Sequence, residues 1–253
     1  MHRFYVCGPV NGAGETVALS PEESAHAARV LRLRPGEAVQ LLNGENLYDA
    51  ELVSVNEQAA TVRITALRPS PEPPARVVLL QGLPKADKLE LIAQKATELG
   101  VWELWPVEME RSVAKADKAD RAEKKRERLS RIALEAAKQS GRAHVPHVAP
   151  VQSLAGALRS IAGATPGFDA VFVAWEDERA LPFSEAVRTF SRQGKALERA
   201  AVVIGPEGGI SRTEWESLRE LGAVSVTLGP RILRTETAGL CALSVIWAAL
   251  GEM

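Results

Sequence analysis

AVVIGPEGGIS at residues 201–211 and VSVTLGPRILRTETAG at 224–239 are the stretches on which the fold turns. Each starts with a run rich in β-branched residues, passes through a loop punctuated by Gly and Pro, and opens a helix-like segment. Two such turns imply parallel strands whose carboxyl ends face one crevice, where open α/β sheets bind ligands. Glycine lets backbone approach a ligand without an intervening Cβ, and proline fixes the path around it. Either loop alone reads equally well as an ordinary strand-to-helix turn. Together, with Arg231, Arg234 and Glu236 crowded into otherwise apolar sequence, they predict a site.

Upstream the same alternation continues. VVLLQG reads as a strand, ADKLELIAQKATEL as a helix stopped by Gly100, and LWPVEM as a strand. A long helix follows from about Ala116 to Ser140 with Gly141 as its stop, and DAVFVAWE supplies another strand. Between the last two strands Ser211 and Glu214 form a capping box, and Gly222 ends that helix. Alternation of this kind predicts an α/β fold, a mostly parallel sheet covered on both faces. The proline-rich RPSPEPPAR at 68–76 reads as a stiff linker and divides the chain into residues 1–70 and 75–253. Before it lie five short strand-like runs (FYVCG, TVALS, AVQLLNG, LYDAELVSV, ATVRITAL), with NGEN at 43–46 as a hairpin turn. One helix interrupts them, with Ser20 as N-cap, Pro21 in its first turn and Glu23 completing a second capping box. The pattern predicts a small N-terminal β-barrel.

Composition narrows the function classes. A formal net charge of −1 makes any nucleic-acid site a local patch. Cys7 and Cys241 form no CxxC and no even framework; they fit a reducing, cytoplasmic setting, although two cysteines alone do not exclude a disulfide. The N-terminus lacks a signal-peptide pattern, and the apolar stretch at 238–250 is shorter than the roughly 20 residues a membrane span needs. No GxxxxGK[ST], GxSxG or HExxH occurs, and His144 and His147 lack an obvious third ligand, so no metal is expected.

Two basic features stand out. Residues 111–131 carry nine basic and four acidic side chains, net +5, which reads either as an RNA contact or as a solvated helix with pairs such as Asp117–Arg121 and Asp120–Lys124. In the small domain His26, Arg29 and Arg32 fall three apart on one predicted helical stripe. The two features together suit a clamp on one phosphate backbone. The 238–250 helix is apolar all round. It predicts cover on most sides, either by the same helix of a second subunit, giving a homodimer, or deep inside a monomer.

GPEGGIS with Glu214 three residues on, LGPRILRTETA, QKATELGV at 94–101, ERSV at 110–113 and AAKQSGR at 136–142 together resemble the bacterial 16S rRNA (uracil-N3) methyltransferases of the SPOUT superfamily. HAARVLRLRPGEAVQLLNG at 26–44 is similar to that family's PUA-like barrel. The resemblance spans most of the chain and is weakest over about 145–200. It implies an S-adenosyl-L-methionine-dependent RNA methyltransferase acting on 16S rRNA in the small ribosomal subunit, dimeric, with a deep trefoil knot. Periodicity alone would draw an ordinary doubly wound sheet.

On this reading the cofactor lies among Ile204, Gly205, Glu207, Gly208 and Gly209, then Leu228, Gly229, Ile232 and Leu233. Ala174, Trp175 and Glu176 complete the pocket, with core packing as the other reading of Trp175. Arg234 is the catalytic candidate, for the uracil anion or the target phosphate; the alternative is a helix-terminal Arg paired with Glu236 or Glu207. His26, Arg29, Arg32, Arg111 and Arg142 are the RNA-binding candidates. Two other classes share these features: a 2′-O-ribose methyltransferase, and an rRNA-binding assembly factor with no enzymatic activity.

Overall fold

A computed structural model describes residues 1–114, 119–194 and 196–253, which form two compact units. The first comprises Met1–Glu72 and Glu135–Val145, the second Pro73–Leu134 and Pro146–Met253. The division thus falls inside the proline-rich segment. The first unit also takes a later segment that sequence reasoning gave wholly to the second.

In the first unit β1 (His2–Tyr5), β2 (Thr16–Ala18), β3 (Ala38–Leu42), β4 (Leu47–Ser54) and β5 (Thr61–Arg68) make a curled sheet in the order β1-β3-β4-β5-β2. Alternate side chains Val39 and Leu41, Ala50 and Leu52, and Val62 and Ile64 turn into one core with Phe4. The 43–46 turn is closed by Asn43, whose side chain accepts from the Glu45 and Asn46 amides. Helix α1 (Pro21–Ala25) is capped by Ser20 as expected. Its capping box is only half formed, because the Glu23 carboxylate accepts from the Tyr5 amide and from Lys138 Nζ instead.

A larger departure follows α1. Residues His26–Val30 form a π-helical turn, and Arg32 lies beyond it at φ +53°. The wider π repeat and the left-handed residue break the three-residue spacing, so His26, Arg29 and Arg32 do not share one α-helical stripe.

The second unit is a seven-stranded parallel sheet in the order β12-β10-β11-β6-β7-β8, with β9 also paired to β7. Its strands are β6 (Arg76–Gly82), β7 (Glu103–Glu108), β8 (His147–Val148), β9 (Gln152–Ser153), β10 (Ala170–Ala174), β11 (Arg199–Ile204) and β12 (Val224–Val226). The near-continuous apolar runs of β6 and β11 follow from burial on both faces. Val77, Leu79, Ala200, Val202 and Ile204 pack into one layer, and Val78, Leu80, Ala201 and Val203 into the other. Helices α2 (Lys88–Glu98), α5 (Phe183–Arg192) and α7 (Thr235–Leu250) cover the first face; α4 (Leu154–Ala162) and α6 (Arg212–Glu220) cover the second. Helix α6 carries the complete Ser211/Glu214 capping box.

Helix α3 (Ala119–Ser140) ends at Gly141, φ +79°. Its predicted start at Ala116, and the Asp117–Arg121 pair, lie outside the described residues. Helix α7 is covered on one side within the chain. Gly239, Ala242, Leu243, Ile246 and Trp247 are buried, and the Trp247 indole donates to the Leu99 carbonyl. Leu240, Cys241, Ser244, Val245 and Ala249 on the other side are only half-buried, and Ala248 is exposed. Both cysteines are free thiols.

Candidate active site

Strand β10 sits between β11 and β12, and all three run parallel. The chain crosses to one side of β10 to make β11 and then over to the other side to make β12. Their last residues, Ala174, Ile204 and Val226, therefore end beside one another at a topological switch point, where the chain reverses its direction of travel across the sheet. A cavity of about 490 Å³ opens there, within the size range of small-molecule sites. All twelve residues assigned to cofactor binding by sequence line it, as does Arg234.

Close approach shapes the walls. A Cβ on Gly205 would come within 2.9 Å of Ile210 Cγ1, and one on Gly208 within 2.8 Å of Arg111 Cβ. Gly209, at φ +74°, has its missing Cβ position filled by the Glu176 carboxylate. Gly229, at φ +108°, has open space around it. Trp175 is half-buried; it lines the cavity and also stacks on the Trp215 ring at 4.9 Å between centroids.

Several residues that hold the site were not singled out from sequence. Gln81 is buried at the end of β6, and its Nε2 donates to Thr235 Oγ1 at 2.8 Å. Thr235 in turn donates to the Gly205 carbonyl at 2.7 Å, fastening α7 to the first glycine loop. Lys88, at the start of α2, lies 2.9 Å from Glu207 and 3.1 Å from Glu236. Glu207 also accepts from the Lys85 amide at 3.1 Å.

Desolvation pushes the Glu207 and Glu236 carboxyls up, but Lys88 and nearby backbone amides outweigh it and leave both below the ordinary carboxylate value. The same bonds, to Glu207 first and then to Glu236, hold Lys88 above its ordinary value. The Gln81–Thr235 contact and those of Glu207 with Lys85 and Lys88 join residues more than a hundred positions apart, so local sequence carried no signal for them.

Arg234 forms the N-cap position of α7, and its side chain is 81% exposed at the cavity. Its guanidinium lies 4.0 Å from Glu236, whereas Glu207 is engaged by Lys88. The RNA candidates differ in what each one meets within its own unit. Arg29 is exposed and paired with Glu57. His26 is half-buried and Arg32 exposed.

Arg111 donates to the Gly208 carbonyl at 3.1 Å and lies 4.0 Å from Glu176, so it braces the first glycine loop. Arg142 departs most from expectation. It is 4% exposed, with its Nε donating to Glu72 at 3.0 Å. The same carboxylate accepts from the Ala143 and His144 amides. Arg142 is thus taken up inside the first unit and offers no exposed cation.

Residues 71–247 match the RNA methyltransferase domain family, and residues 19–65 match the RNA methyltransferase PUA domain. The ribosomal RNA small subunit methyltransferase E of Bacillus subtilis is 39% identical over 238 residues, 91% of this chain and 89% of that protein. The protein of the same name from Mycobacterium bovis is 34% identical over 247 residues, 96% of this chain and 90% of the other. Among solved structures, a ribosomal RNA small subunit methyltransferase E from Neisseria gonorrhoeae, bound to S-adenosyl methionine, is similar with TM-score 0.81 and 30% identity. That likeness covers 98% of this chain and 97% of the other.

Proposed function

The chain belongs to the RNA methyltransferase family and is an S-adenosylmethionine-dependent methyltransferase of small-subunit ribosomal RNA; on that premise we propose that it methylates N3 of a uridine at the β10–β11–β12 cavity. The observation that carries the assignment is the convergence of both glycine loops and Arg234 on that single cavity.

The cavity suits the cofactor. Gly205, Gly208, Gly209 and Gly229 line it without side chains, and the space beside Gly229 is open. Ile204, Leu228, Leu233 and Ala238 offer apolar surface for a flat base, and the carboxylates of Glu176 and Glu207 offer partners for a cationic group. When bound, the cofactor supplies a methyl carbon attached to a cationic leaving group.

What the protein adds is alignment and charge. Uridine N3 is a weak nucleophile while protonated, so the site has to favour the anion. Arg234 is the side chain for that role: its guanidinium is exposed at the cavity and, among the described residues, its one ion pair is the long contact to Glu236. The Gln81–Thr235–Gly205 bonds and the Lys88 pairs keep α7 and the first glycine loop in register while Arg234 stays free to meet the base.

His26, Arg29 and Arg32 of the first unit, with Arg111 at the loop, are proposed to touch RNA; Arg29 would exchange Glu57 for phosphate. A homodimer is proposed through the half-covered side of α7, since an apolar helix face on a soluble protein calls for a partner. A trefoil knot is proposed for the path by which the chain leaves β12, lines the cavity and returns as α7 to pack on β6 and β11. A cytoplasmic site of action follows from the rRNA substrate.

Mass spectrometry of nuclease-digested rRNA, from cells with and without the gene, tests the reading. A methyl lost from a uracil base supports it, and a methyl lost from a ribose would assign the protein to the 2′-O class. In vitro, Arg234→Ala should lower single-turnover rate far more than RNA affinity, the mark of an interaction made at the reacting base.

A further inference from the structure

With Arg142 buried, Arg111 bracing a loop and Arg29 paired, most of the expected RNA contacts are already engaged within the protein. Helix α3 carries cations that are not. At 100° per residue, Arg121, Lys124, Arg128 and Arg131 fall within an arc of about 80° and along about 15 Å of helix axis. Asp120, Glu123 and Glu127 fall within the neighbouring arc of about 60°. Leu129 and Ala133, on the opposite side, are buried in the core of the second unit.

Over residues 120–131 these seven side chains therefore form two parallel stripes, with Lys125 and Arg126 outside both and Glu135 one turn beyond Arg131. Of the expected i,i+4 pairs, Asp120–Lys124 does not form; instead Arg126 pairs with Glu123, and Arg128 reaches Glu90 of α2 at 2.8 Å. Arg121, Lys124 and Arg131 are exposed and form no ion pair among the described residues.

A helix face that merely needs solvation gains from interleaved charges, because like charges three or four apart repel. Here Arg121–Lys124, Lys124–Arg128 and Arg128–Arg131 are all such like-charged neighbours. A linear polyanion laid along them relieves that repulsion and releases its own counterions. The geometry points to this stripe, Arg121, Lys124 and Arg131 with Arg128 at its centre, as a seat for the sugar–phosphate backbone of the RNA substrate. The inference rests on the methyltransferase reading and adds where the RNA lies. The acidic stripe alongside confines the backbone to one flank of α3.

The test uses the full-length protein with Arg121, Lys124 and Arg131 changed together to Gln, protein-free 16S rRNA, and binding isotherms at several salt concentrations. The expected result is weaker binding, with the log–log salt slope shallower by about 0.7 per lost contact and roughly 2 in all. KM for RNA should rise while kcat at saturating RNA and S-adenosylmethionine affinity stay at wild-type values, which also reports an intact fold. The triple Arg121→Lys, Arg131→Lys, Lys124→Arg should keep the wild-type slope. Arg188→Gln on α5, an exposed cation off the stripe, should leave it unchanged.

A wild-type slope in the triple Gln variant overturns the proposal. So does weaker binding to intact small subunits with unchanged binding to protein-free rRNA, which would make the partner a ribosomal protein. If the wild-type protein transfers no methyl group to any rRNA, the methyltransferase reading itself fails, a result separable from the others.

Discussion

Gly209 and Gly229 both adopt backbone conformations that favour glycine, but they face different neighbours. Beside Gly209 the room is already taken by the Glu176 carboxylate, whereas the space beside Gly229 is open. Gly209→Ala should therefore destabilise the protein by about 1–3 kcal/mol through strain at positive φ, in addition to the displacement of Glu176. Adding Glu176→Ala should recover the second part and leave the first. Gly229→Val should cost less stability than Gly209→Val and reduce cofactor affinity more. Urea midpoints and titration calorimetry on these variants separate the two effects; equal behaviour at both glycines would refute the distinction.

The Lys88 cluster makes a pH prediction at the same scale. Glu207 and Glu236 titrate below the ordinary carboxylate value in the folded protein. Their contribution is therefore present at neutral pH and is lost as pH falls through those depressed values. The stability gap between wild type and Lys88→Met should be open at pH 7 and close in acid below about pH 4, measured as urea midpoints across pH.

Among the elements, α7 shows how a sequence pattern can be right about character and incomplete about placement. Its lack of a polar face was legible, but which side the chain itself covers was not. Ala242 and Leu243 are fully buried within the chain, so Leu243→Ala should cost about 2–5 kcal/mol and Ala242→Glu would unfold the protein rather than split a dimer. Ser244→Arg, on the half-covered side, is the informative change. If the proposed dimer forms, sedimentation should find the wild type dimeric and Ser244→Arg monomeric, with little loss in thermal midpoint; a monomeric wild type would refute the dimer.

The five N-terminal strands and the strands β6, β7, β10, β11 and β12 were legible from β-branched runs and their turns. Helices α4 and α5 were not drawn, yet each carries a signal. Leu154, Ala157, Leu158 and Ile161 follow the helical period behind an N-cap Ser153, and so do Phe183, Ala186, Val187 and Phe190. Strands β8 and β9, two residues each, are too short to show a period. The cavity walls were legible because they are contiguous loops. Lys88 with Glu207, Gln81 with Thr235 and Arg142 with Glu72 were not, because each contact is made only by the folded chain.

At the scale of the whole molecule, the most consequential pair is Arg142 with Glu72, which draws the residues after α3 onto the middle of the proline-rich segment. Removing one partner of a buried pair leaves the other charge uncompensated. Glu72→Ala should destabilise the protein by about 3–5 kcal/mol, and Glu72→Met with Arg142→Met should cost clearly less than the two single changes added together. Equilibrium denaturation of the four proteins would decide it; strict additivity would mean the pair is not coupled.

The same feature orders events during synthesis. The first sixty-odd residues leave the ribosome early and already hold all five strands of the curled sheet. Ala143, which packs with Leu42 and Leu47, and Arg142, which neutralises Glu72, emerge only some seventy residues after the linker. Until then the nascent domain exposes an apolar patch and an unanswered carboxylate. The large sheet waits longer still, since β6 finds its partner β11 more than a hundred residues downstream. A chain stalled between residues 75 and 130 should therefore be sensitive to protease and bound by chaperones, and one released past residue 145 should have a protected N-terminal unit.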